Sequence, residues 1–217
     1  YRAGSPLVEV FWGDEESART RFLTAADGAM QEVSAWQPRA LAGHFEAGHA
    51  LLSITANDPD LLAGVPPERI SAAQKAGSLA FHPFSELVGR NASNWLIVAA
   101  PSARWADKVF PDAPPAERVA LMWDAIFTMC RVDGPNSAAG WQTHLDGLER
   151  RAADLNRRNY RALKYRGPVT DLTVGLPDDH VWASGRSSTP RGVSFAANMP
   201  TEEVFTMPHR ERVDGIV

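Results

Sequence analysis

Apolar residues recur along this chain in two rhythms. Over 115–131, Val119, Met122, Trp123, Ile126 and Met129 fall at helical steps, and over 136–158 Trp141, Leu145, Leu148, Ala152 and Leu155 do the same. These stripes predict two long amphipathic helices with the named residues facing a core. Arg150, Arg151, Arg157 and Arg158 lie outside the second stripe and predict a solvated face. Shorter runs rich in β-branched and aromatic residues read as strands: PLVEVFW (6–12), HALLSITA (49–56) and NWLIVAA (94–100). Helical segments separate them. Asp14 caps one that runs to Ala26, a second covers the region around 33–42, and Ser102 caps a short one over 102–110. Another opens at Pro67, where a missing N–H costs nothing, and runs to Phe81, with Pro83 interrupting it.

After Tyr160 the rhythm shortens. ALKYRG, TDLTVGL, HVWAS, GVSFAAN and EEVFT read as brief strands divided by Gly, Pro, Asp and Ser, GRSS (185–188) reads as a turn, and a further strand opens near Val217. A boundary near 158–160 follows. The fold class is α/β: residues 1–158 form a layered domain whose alternating strands and helices imply a mostly parallel sheet, and 159–217 form a β-rich segment.

Composition narrows the function classes. Hydrophobic residues make up 44% and charged residues 22% of the 217, as in ordinary globular domains. A net charge of −4 gives no overall basic field for nucleic acid. No apolar run reaches the roughly 18 residues needed to cross a bilayer. The single cysteine, Cys130, excludes an internal disulfide and a Cys-rich zinc site, and its place in LMWDAIFTMC reads as a packed core thiol. The chain opens at Tyr1 on what reads as a helix end, a turn and a strand, so it is expected to be part of a longer protein.

Most chemical motifs fail on spacing. GHFEAGH (43–49) holds two histidines, His44 and His49, but not as the His-Glu-x-x-His of zinc proteases, so they read as helix-end and strand-start residues. No glycine-rich phosphate loop and no Gly-x-Ser-x-Gly elbow is present. NMPTEEVFTMPHRERVDG (198–215) differs in kind. Glu202 and Glu203 precede the β-favouring run Val204-Phe205-Thr206. In an extended chain successive side chains alternate faces, so only one of the two can meet a given metal ion, and a charged strand edge without chemistry stays open.

NMPTEEVFTMPHRERVDGIV (198–217) closely resembles the signature of the aminopeptidase T / aminopeptidase S family of metallo-aminopeptidases. PERI (67–70), ELVGRN (86–91), WLIVAAP (95–101), VFP (109–111), RVDGPN (131–136), RGPVTDLTVGL (166–176) and VWASG (181–185) resemble the family in the same order. The resemblance implies an N-terminal α/β domain, then the start of an incomplete catalytic domain over 159–217. It implies release of N-terminal residues from peptides with a free N-terminus by a metal-activated water, using two divalent cations (zinc or cobalt, with magnesium or manganese as alternatives). It also implies a cytoplasmic homodimer that binds neither nucleic acid nor membrane. The family pattern places one ligand at the Thr-Glu-Glu position, favouring Glu203 with Glu202 second, and the remaining ligands downstream of Val217. His209 is a structural residue near the cleft. Arg210 and Arg212 are candidates to steady the carboxylates from behind, with surface ion pairing the plainer use. On this reading the 217 residues alone are inactive, since catalytic zinc takes about three protein ligands. A non-catalytic α/β binding module is the alternative.

Overall fold

A computed structural model describes residues 1–2 and 4–217. The first part alternates helices and strands: α1 (Glu15–Thr24), α2 (Trp36–Glu46), β1 (Leu51–Thr55), α3 (Pro67–Gly89), β2 (Trp95–Ala99), α4 (Ala103–Val109), α5 (Pro115–Met129) and α6 (Ser137–Arg158). Six strands follow: β3 (Ala162–Arg166), β4 (Asp171–Gly175), β5 (Arg186–Ser188), β6 (Ser194–Ala196), β7 (Asn198–Met199) and β8 (Val213–Ile216).

Local chemistry accounts for the helix starts. The Asp14 carboxylate accepts the Ser17 N–H at 2.7 Å, and the Ser102 hydroxyl accepts the Trp105 N–H at 3.1 Å. Asn159 ends α6 in the left-handed region, at φ 46°. Pro83 does not stop α3, which runs on to Gly89. An interior proline costs about 3 kcal/mol, and packing beyond it offsets that: Phe84 meets Phe45 edge-on at 5.2 Å, and Leu87 is buried.

Two three-stranded sheets and a hairpin organise the strands. The first sheet is parallel, ordered β1-β2-β7, with Leu51 opposite Trp95 and Ile97 opposite Asn198. Helices flank it: Ala106 of α4 packs with Met122, Ile126 and Cys130 of α5 and its end, against Ala99 of β2 and Met199 of β7. The second sheet is antiparallel, ordered β3-β4-β8. A second cluster joins α6 to this part: Ala152 packs with Leu176 and Trp182, flanked by Leu155, Leu163 and Val204.

Several expectations change. Residues 6–12 form no strand, since among the described residues no backbone pairs with them, and Leu7, Val10 and Trp12 are exposed. Residues 186–188 are strand β5 rather than a turn, because Arg186 bonds Asp146 and Glu149 of α6 and aligns the segment with β6. HVWAS and EEVFT share only one bridge, Ala183 to Phe205. The last strand is Val213–Ile216; at Gly215 a Cβ would lie 2.0 Å from the Asp171 carbonyl oxygen, so only glycine fits. On α5, Met122 and Ile126 are buried, whereas Val119, Trp123 and Met129 are exposed. Cys130 is buried as expected, and burial pushes its thiol pKa up.

Candidate metal-ligand segment

Three elements converge on residues 201–202. Strand β7 carries the chain off the first sheet and delivers Thr201, which is 3% exposed. At Gly185 a Cβ would lie 2.6 Å from the Thr201 methyl, so the absence of a side chain there makes room for the Thr201 side chain. From α6, His144 bonds the Thr201 carbonyl through Nε2 at 2.7 Å. Because a carbonyl only accepts, that nitrogen carries the proton. Trp141, one turn back, donates its indole N–H to the Cys130 carbonyl at 2.6 Å and so ties α6 to the end of α5.

That end of α5 supplies the third element. Arg131 adopts φ 54°, and its guanidinium meets both oxygens of Glu202, with Nη2 to Oε2 at 3.0 Å. His144 Nε2 lies 3.7 Å from the same Oε2. The hydrogen bonds from Arg131 are the main cause that holds the Glu202 carboxyl below its ordinary range; burial opposes them, and the charges of Arg131, His144 and Arg151 add to the lowering. Glu202 is therefore an ionised carboxylate already claimed by a bidentate partner.

Glu203 stands differently. Its Oε2 accepts the Glu202 N–H at 3.0 Å, and among the described residues no basic side chain reaches it. Downstream, Val204 packs toward the Trp182 cluster and Phe205 pairs with Ala183, so both flanks of Glu203 are anchored. His209 lies in a turn: its N–H bonds the Gly175 carbonyl at 2.8 Å and its ring accepts the Glu211 N–H. Arg212 faces Leu176 and Asp178, and neither Arg210 nor Arg212 bonds Glu202 or Glu203. The steadying cation is Arg131 instead. Its only signal in the sequence was its place in RVDGPN, directly after an amphipathic helix, and His144 carried none.

A single profile spans all of these elements: the model of the thermophilic metalloprotease (M29) family matches residues 1–217. The chain belongs to the M29 family. This M29 chain is 42% identical to aminopeptidase T of Thermus thermophilus and 39% identical to aminopeptidase AmpS of Bacillus subtilis, each over 217 residues. The solved structure of wild-type AmpT from Thermus thermophilus superposes with a TM-score of 0.91 at 41% identity, covering all of the M29 chain and 53% of that chain. The M29 chain thus spans about half the length of the curated relatives it matches. Family membership implies a divalent metal. Glu203 suits one, offering hard oxygen donors without a competing cation. Among the described residues no three histidine, cysteine or carboxylate side chains converge on a common point. Among the described residues no helix is long and apolar enough to cross a membrane.

Proposed function

We propose that this chain supplies the first metal ligand, Glu203, of a metal-dependent aminopeptidase that releases N-terminal residues from peptides. The observation that carries the reading is the division of labour between neighbours. Glu202 is committed to Arg131 and His144, while Glu203, one residue on, has no basic partner among the described residues. Membership of a metalloprotease family, and relatives named as aminopeptidases, support the reaction class.

The chain's own residues hold and orient. His144 and Arg131 fix Thr201 and Glu202 from two sides, and Val204 is held by the Trp182 cluster. The peptide between these anchors is held from both sides, which favours presentation of the Glu203 carboxylate in one position. A bound pair of divalent cations, zinc or cobalt on this reading, supplies Lewis acidity and an activated water. One carboxylate cannot hold such a pair, so the co-ligands lie outside these 217 residues and the segment alone is inactive. In this reading residues 1–158 are the N-terminal α/β domain and 159–217 open the catalytic domain, with β7 laid back on the first sheet. Homodimerisation and a cytoplasmic setting belong to the same proposal.

The intact protein tests it. Hydrolysis of a peptide with a free N-terminus, blocked by N-acetylation of that peptide and abolished by a chelator, is the expected result. Equal turnover of free and acetylated peptides, or turnover untouched by the chelator, contradicts it. Absence of any turnover in metal-loaded protein favours the α/β binding module.

A further inference from the structure

The two histidines of GHFEAGH are brought together by the way α2 ends. The His49 N–H bonds the His44 carbonyl at 2.9 Å and the Gly48 N–H bonds the Phe45 carbonyl at 3.0 Å. This paired 6→1 and 5→2 pattern is the Schellman motif, which sets the third-from-last helical residue beside the second residue past the cap. In most helices that juxtaposition is a hydrophobic contact. Here both positions are histidine.

The turn requires its glycine. Gly48 has φ +84°, and a Cβ there would lie 1.9 Å from Arg191 Nη1. Arg191 in turn donates to the Ala47 carbonyl at 3.1 Å and closes the turn from outside. Backbone, rather than chance rotamers, therefore places the two rings together. Their centroids are 5.2 Å apart, and His44 Nδ1 lies 2.9 Å from His49 Nδ1.

Glu9 sets the tautomer. Its Oε2 lies 3.1 Å from His44 Nε2, so in the neutral ring that nitrogen carries the proton and Nδ1 presents a lone pair. A carboxylate on the far nitrogen is the arrangement that orients and strengthens a metal-binding imidazole. His49 is exposed, and its Nε2 has no protein hydrogen-bond partner among the described residues, so its proton can reside there and free Nδ1. Two nitrogens bound to one metal at about 2.0–2.1 Å and at right angles stand about 2.9 Å apart. That separation fits adjacent corners of a square or octahedral shell better than a tetrahedron, and imidazole suits copper and nickel.

We propose that His44 and His49 form an exchangeable site for a copper(II)- or nickel(II)-class cation, with Glu9 orienting His44 and water completing the shell. A modest turn of the exposed His49 ring converts the metal-free N–H···N contact into a shared metal.

The test titrates the intact protein, loaded beforehand with zinc so that the proposed catalytic pair is filled, with copper(II), followed by calorimetry and electron paramagnetic resonance. The expected result is one tight equivalent with a two-nitrogen imidazole signature. His44→Ala and His49→Ala each abolish that equivalent, whereas His82→Ala, which alters an exposed histidine beside Glu86, leaves it intact. Glu9→Gln weakens it about 10-fold. Circular dichroism confirms folding, and His49→Gln replaces any variant that fails to fold. An unchanged tight equivalent in both the His44 and His49 variants overturns the proposal, as does an equivalent lost equally in His82→Ala.

Discussion

Residues 6–12 and residues 201–206 are built from similar material and meet opposite fates. Both lie outside the helices, both carry Val and Phe, and neither forms a ladder strand. Along the first, Val10 is 77% and Trp12 86% exposed; within the second, Thr201 is 3% exposed. The difference lies in what surrounds them. Residues 201–206 are met by α6, by the end of α5 and by the Trp182 cluster, whereas the ring and ion pairs of Phe11 and Glu9 among the described residues are with Trp36 and His44 of α2. A segment outside the helices becomes rigid through side chains from other elements as readily as through a sheet.

The largest expected effect lies in α6, the helix that meets the held segment through His144. Leu148 of α6 is 1% exposed, and Leu148→Ala should lose about 2–5 kcal/mol in denaturant unfolding. A loss below about 1 kcal/mol would mean that α6 is not the rigid wall that the comparison requires.

Next comes the clasp. Because Glu202 has a lowered pKa in the folded state, its ion pair stabilises fully above the ordinary glutamate value and is lost as pH falls through the lowered value. Arg131→Ala should remove that acid-side dependence while costing less than about 1 kcal/mol at neutral pH, since both groups are partly exposed. Stability curves for the two proteins that run parallel from neutral to acid would show that the pair is not formed.

Smallest is the effect at the exposed segment. Trp12→Ser should change stability by no more than about 0.5 kcal/mol in the same assay. A loss of several kcal/mol would mean that residues 6–12 are packed after all and would erase the contrast.

The long-range order of helices and parallel strands was legible because periodicity and caps act locally: the stripe of Trp141, Leu145, Leu148 and Ala152 is buried as read, and Asp14 and Ser102 cap their helices. Pairing was less legible. PLVEVFW has strand composition but no partner, and Arg186 recruits a turn-like GRSS into β5 through contacts with residues about 40 positions away. The Thr-Glu-Glu segment stood out through its family resemblance, while its clasp did not, since Arg131 and His144 reach it across the fold. Nor did spacing rules find the His44–His49 pair, because a Schellman turn, not a helical face, joins them.

Glu203 is the proposed metal ligand, and its neighbour Glu202 is held by Arg131 instead. Metal content of the intact protein, measured by elemental analysis after identical loading, should fall sharply in Glu203→Gln and stay near the parent value in Glu202→Gln. Equal retention in both variants, or loss confined to Glu202→Gln, would contradict this assignment.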